Sequence, residues 1–207
     1  MLIRCSTSPI PAYDVAERHE IRVGAPAEMT LSAATEMDFR QSPIVRAIFR
    51  ARELILGSEP KEAVLPRALL AQAKASGWGE LAEIAGSEIV VGAVTKPWMA
   101  NVVFRALPPE EFATFHEPGY VKIVWTLRAD PIAAGESVAR TETRIVTIDP
   151  TAGATFRRYW SFVSPGIVLI RRISLGLVKR EAERRVREAR QGKGCMVKFS
   201  AQIFKTH

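Results

Sequence analysis

Hydrophobic positions along the chain change period several times, and each change marks an element. In Tyr13 to Gly24 (YDVAERHEIRVG), Val15, His19, Ile21 and Val23 keep one parity, which predicts a strand ended by Gly24-Ala25-Pro26. Ala27 to Asp38 spaces Met29, Leu31, Ala34 and Met37 for one helical face. Ser42-Pro43 then supplies an N-cap and a proline at the first helical position. The helix opened there is expected to carry Ile44, Ile48 and Leu54 inward and its arginines outward, stopping near Gly57. Ser58 to Arg67 reads as a charged connection, and Ala68 to Ser76 as a short helix.

From Gly77 the pattern becomes that of strands. Leu81 to Ile84, Glu88 to Val94 and Ala100 to Leu107 are expected in succession, and Pro108-Pro109-Glu110-Glu111 opens a short helix with acids at its positive end. Tyr120 to Arg128 alternates strongly, with Val121, Ile123, Trp125 and Leu127 on one side. Ser137 to Ile148, rich in threonine and valine, follows through an Ala133-Ala134-Gly135-Glu136 turn as the second arm of a hairpin. Last comes a helical stripe of Phe156, Trp160, Val163, Ile167, Ile170, Ser174 and Leu177. Pro165-Gly166 interrupts it, with Ser164 placed to cap a restart, so a kink or two abutting helices are expected. The pattern runs to about Gln191, leaving Gly192 to His207 as a basic tail whose Met196-to-Phe204 part is a strand or unstructured.

This order divides the chain into an irregular segment 1–12, one domain over 13–191 and the tail 192–207. It predicts an α+β helix-grip fold, a curved antiparallel sheet wrapped on a long C-terminal helix with two short helices after the first strand. A straight helix cannot touch a curved sheet everywhere, so a cavity between them is expected.

Composition changes the picture only in places. A chain of 207 residues and 22.9 kDa, 47% apolar and 25% charged, buries enough surface to fold without a metal or disulfide. Cys5 and Cys195 lie near opposite ends with no partner at metal-ligand spacing; they read as two free thiols, or as a disulfide if the termini meet. The N-terminal segment has no apolar run of the kind a signal peptide needs, and Ile167 to Ile170 is far too short to span a bilayer. A soluble, cytoplasmic protein is expected.

The net charge of +7 is concentrated. Ten Lys or Arg against three acids fall between Thr151 and Gln191, an excess equal to that of the whole chain. This helix end is either a footprint for nucleic acid or an anionic membrane, or a solvated face in which Glu181 and Glu183 pair locally with Arg184, Arg185 and Arg187. No aromatics interleave with the charges and no reading-helix motif is present, which disfavours nucleic acid.

The element order, with Glu88-to-Val94 (EIVVGAV), Pro108-to-Gly119 (PPEEFATFHEPG), Thr141-to-Val146 (TETRIV) and Phe156-to-Trp160 (FRRYW), resembles the START-like helix-grip superfamily over Tyr13 to Arg190. That superfamily includes pollen-allergen-type ligand carriers, lipid-transfer domains and polyketide cyclases/aromatases. The resemblance implies a pocket for an apolar or amphipathic small molecule. It brings no catalytic motif, because its members share a fold more than a site.

Candidate site residues follow from this. Trp98, Phe104, Trp125, Tyr159 and Trp160 are candidate pocket walls, with Val163 on the helical stripe. Glu142 and Arg144 share one strand face with Val138, Val146 and Ile148. If that face is concave they are buried polar anchors; if Thr141 and Thr143 point inward instead, the two are a structural pair. His19 and His116 are assigned structural roles, and no GxSxG, HExxH or phosphate loop occurs. No metal or cofactor is expected. The leading expectation is a carrier of an apolar or amphipathic small molecule. The alternative is a cyclase/aromatase-type enzyme using Glu142 or Tyr159 for proton transfer, and oligomeric state stays open.

Overall fold

A computed structural model describes residues 12–38, 41–57 and 66–203, with side chains as far as Gln191. The irregular N-terminal segment falls almost wholly outside these residues, as do the side chains of both cysteines. The elements are β1 (Val15–Val23), α1 (Ala27–Glu36), α2 (Pro43–Leu56), α3 (Leu69–Ala75), β2 (Gly79–Ile84), β3 (Glu88–Thr95), β4 (Phe104–Arg105), α4 (Pro109–Thr114), β5 (Val121–Ala133), β6 (Glu136–Thr147) and α5 (Pro150–Ile203). Strands run in the order β1-β6-β5-β3-β2, all antiparallel, with β4 paired to β3. The result is the helix-grip arrangement, α+β, with a curved sheet and a long C-terminal helix. Register shifts at Glu80/Ala82 and Pro131/Ala133 add local bends.

Most of the local signals act as expected. Ser42 Oγ accepts from the Val45 amide at 3.4 Å at the start of α2, and Gly57 ends it in the left-handed region at φ 64°. Gly135, at φ 83°, turns the β5–β6 hairpin. Only Phe104–Arg105 of the strand expected over Ala100 to Leu107 pairs with the sheet.

Pairing fixes what each face carries. Val91, Trp125, Thr143 and Glu17 form one row across β3, β5, β6 and β1, and Ile89, Leu127, Thr141 and His19 the next. These rows point toward α1, α3 and α5 and build the larger core with Leu31, Met37, Leu69, Leu175, Val178 and Ala182. The opposite face packs Val90, Val94 and Val124 beneath Phe112 and Phe115 of the α4 region. Gly92 permits that approach, since a Cβ there would lie 2.4 Å from Leu81 Cδ1 and 3.1 Å from Phe112 Cζ.

Three features of α5 depart from the expectation. First, α5 is one helix through Pro165 rather than two, begun by Pro150 at its first position. Asp149 Oδ1 caps it, accepting from the Thr151 and Ala152 amides at 2.9 Å each. Because the apolar runs on either side of Pro165 join, α5 holds an 18-residue stretch of mean hydropathy 1.5, long and apolar enough by length and composition to cross a membrane. Second, α5 continues to Ile203, so the tail is helical beyond Gln191 where a strand or an unstructured segment was expected.

Third, the buried line on α5 moves. Phe156 is buried as expected, but farther along the buried residues are Leu175, Val178 and Ala182 rather than Ser174 and Leu177. A strict seven-residue repeat lags a 3.6-residue helix by about 20° per heptad, so over three heptads the contact line passes to later residues. Arg171 thereby turns toward the sheet.

Candidate functional site

Under the middle of α5 lies a polar cluster in an otherwise apolar core. Arg171 donates from Nη2 to Thr143 Oγ1 at 2.9 Å and from Nη1 to Thr141 Oγ1 at 3.5 Å. Its guanidinium carbon sits 4.6 Å from the ring centre of Trp125, whose Nε1 donates to Thr141 Oγ1 at 2.8 Å. Part of the Arg171 surface remains open, yet its charged end is packed deeply enough that burial pulls its pKa down to about 10; the nearby Glu17 charge acts the other way. The side chain stays cationic at neutral pH. Among the described residues it makes no ion pair, so its charge is met by hydroxyls, a ring face and a carboxylate at longer range.

Two more groups share this layer. His19 Nε2 is buried 3.3 Å from Glu17 Oε2, without the alignment of a hydrogen bond. Ser174 Oγ, one turn on from Arg171, is also buried without a hydrogen-bond partner among the described residues. A hollow of about 20 Å³ borders Arg171, Ser174, Trp125 and Thr141, and its far wall is Leu31, Met37, Leu69 and Val178. That is room for about one water, whereas small-molecule pockets measure roughly 300–1,000 Å³. The gap expected where helix crosses sheet is thus largely filled at this end, because α1 and α3 pack into it.

Aromatic rings lead away from the cluster. Trp78 meets Trp125 edge-on at 6.2 Å and stacks on Phe104 at 5.2 Å. It also packs against a second group in which Phe156 contacts Trp160 at 5.5 Å and Tyr159 at 6.3 Å, with Trp98 alongside. Trp78, Trp98, Phe104, Tyr159 and Trp160 are all half-buried. At the outer end Arg52 of α2 donates to Tyr159 Oη at 3.4 Å and to the Pro97 carbonyl at 3.1 Å.

The structure therefore brings together Trp98, Phe104, Trp125, Tyr159 and Trp160 through Trp78, and leaves Val163 half-buried farther along α5. It separates Glu142 and Arg144 from them. Thr141 and Thr143 take the inward parity, so Glu142 and Arg144 lie on the opposite face, where Arg144 Nε donates to Glu142 Oε1 at 2.6 Å. His116 is exposed, its Nδ1 2.7 Å from the Thr114 carbonyl. Sequence reasoning missed Arg171, Trp78, Glu17 and His19 as site residues. The parity of β1 already placed Glu17 and His19 with Val15 and Ile21; nothing local marked Arg171.

Among the described residues no three His, Cys, Asp or Glu side chains are grouped to hold a metal ion. The basic end of α5 is knitted to its surroundings. Arg184 pairs with Glu181 at 2.7 Å and Glu188 at 2.5 Å, Arg185 reaches Glu181 and Glu36, and Lys179 joins Glu183.

No protein-family model matches the chain, and no curated protein matches it. Among solved structures it is similar to the di-domain ARO/CYC BexL from the BE-7585A biosynthetic pathway, with 16% identity and a TM-score of 0.30 over 82% of this chain. The chain spans about half, 46%, of the length of that protein. It is also similar to the Zhui aromatase/cyclase from Streptomyces sp. R1128, with 19% identity and a TM-score of 0.27, covering 84% of this chain and 97% of that one.

Proposed function

We propose that this chain binds an amphipathic small molecule whose anionic or hydrogen-bond-accepting head meets Arg171 and whose apolar part lies along the half-buried aromatic side chains. Arg171 carries the reading. A desolvated cation that has no carboxylate partner among the described residues is costly to keep, and a ligand carboxylate would supply the missing charge. Ser174 Oγ, buried and unpartnered, offers the same head a second donor. Trp78, Trp98, Tyr159 and Trp160 give apolar area that is neither fully buried nor fully exposed, which suits a surface that trades solvent for a guest. The 20 Å³ hollow takes only part of a head group, so the guest's bulk stays on the aromatic side rather than among Leu31, Met37 and Leu69.

Thermal-shift measurements with long-chain fatty acids and the matching alcohols test this. Acids near a hundredfold excess over Kd should raise Tm by about 5–10 °C and alcohols by much less. Arg171→Met should remove the difference between them. No shift with any acid, or an equal shift in Arg171→Met, would rule the reading out.

A further inference from the structure

The molecule has a second apolar surface, distant in character from the Arg171 site and formed where two helices cross beside the Arg52–Tyr159 hydrogen bond. A Cβ on Gly166 of α5 would lie 3.1 Å from Ile48 Cγ2 of α2, so the helices meet there. On α5, Phe162 and Leu169 stand four residues before and three after Gly166, on the stripe that faces α2. On α2, Ile44 and Ile55 stand four before and seven after Ile48, again on the contacting stripe. Both stripes outrun the contact. Ile44, Phe49, Leu54 (83% exposed), Ile55, Phe162 (75% exposed) and Leu169 all face solvent, while only Val45 of α2 is buried.

Charge frames this surface with one sign. Arg46 and Arg50, one turn apart and exposed on the polar side of α2, border a surface recess of about 380 Å³. Exposed Arg157, Arg158 and Arg172 bracket Phe162 and Leu169 along α5. Glu53 is the sole acid in α2. An apolar helical face with arginines at its border has the makeup of a helix lying in a lipid interface, its cations drawn to anionic headgroups. α5 cannot leave the sheet to span a bilayer without exposing Phe156, Leu175, Val178 and Ala182, so the contact is peripheral.

We infer that the α2–α5 crossing docks on the surface of an anionic phospholipid bilayer, with Leu54, Ile55 and Phe162 entering the interface and Arg50 and Arg158, each one turn before Leu54 or Phe162, meeting phosphate or carboxylate headgroups. This is a different surface from the basic end of α5, where Lys179, Arg184 and Arg185 are engaged by Glu181, Glu183, Glu188 and Glu36. It is also independent of any ligand at Arg171.

Co-sedimentation of the full chain with vesicles of phosphatidylcholine containing about a third phosphatidylserine tests it, with pure phosphatidylcholine as the control. Binding should be at least about tenfold stronger to the anionic vesicles. Leu54→Glu with Ile55→Glu, both exposed and so neutral for folding, should weaken it by about tenfold or more. Arg50→Glu with Arg158→Glu should weaken it by a similar factor and flatten its salt dependence. Circular dichroism checks that the variants keep the helix-grip fold. Absent or equal sedimentation with the two vesicle types would overturn the proposal, as would variants that bind like the parent. A concentration-dependent dimer abolished by the same variants, without vesicle binding, would assign the surface to a second copy of the chain and overturn it too.

Discussion

The two faces of β6 use similar residues to opposite ends. On the convex face Arg140 pairs with Asp130 and with Glu20 at 2.8 Å, and Arg144 pairs with Glu142, all partly open to water. On the concave face Thr141 and Thr143 hold Arg171, a cation from another element, with no carboxylate in ion-pair contact among the described residues. Convex charges are compensated where they stand, and such pairs contribute little beyond local order. The concave charge is compensated only in part. A charge left that way by its own fold marks the place where a partner of opposite character gains most, and for this reason the candidate site centres on Arg171 rather than on the Glu142–Arg144 pair.

The comparison can be broken first at its foundation. Phe156 is buried at the root of α5, and Phe156→Ala should cost about 3–5 kcal/mol, read as a lower urea midpoint, because it removes a fully buried ring from the centre of its cluster. A cost below about 1 kcal/mol would mean that α5 is not held on the concave face as described. The next effect separates the arginines. Arg171→Met removes a desolvated cation and should leave stability unchanged or raise it by about 1 kcal/mol or more, whereas Arg144→Met strands a half-buried Glu142 and should lose about 0.5–1 kcal/mol. Losses in the reverse order would make Arg171 a structural residue and leave the ligand reading without its anchor.

The smallest effect concerns pH. Hydrogen bonds from Arg184 and Arg185 hold the Glu181 carboxyl at about 2, below its ordinary 4.5, so the folded state takes up that proton later than the unfolded chain does. The stabilisation is complete above about pH 4.5 and fades as pH falls toward 2. Arg184 is exposed and Glu181 and Arg185 are partly open to water, so screening leaves no more than about 1 kcal/mol at stake. Arg171, cationic up to about 10, adds no slope in that acid range. Denaturant midpoints from about pH 7 to 2.5 should therefore show a shallower acid limb in Glu181→Gln and an unchanged one in Arg171→Met.

How much of the site was legible varies with the kind of signal. The aromatic positions could be nominated one by one because rings are scarce and usually buried. That Trp98, Tyr159 and Trp160 gather at Phe156, while Phe104 reaches Trp125 through Trp78, needed the fold. Ile44 and Leu54 were misjudged because an amphipathic pattern says only that a face is apolar. It does not say that anything covers it, and α2 touches α5 chiefly around Ile48.

By itself the sequence determined most of the elements, their order and the helix-grip class, because caps, turn glycines and side-chain periods act over a few residues. It also determined that Glu142 and Arg144 share a face and that Thr141 and Thr143 share the other. Which of those faces is concave was decided by the tertiary structure, since a period of two is symmetric and only the covering helix breaks the symmetry. The same holds for Arg171. Its inward turn depends on a drift of about 20° per heptad accumulated along α5 against a bent sheet, a sum over many residues that no local pattern records.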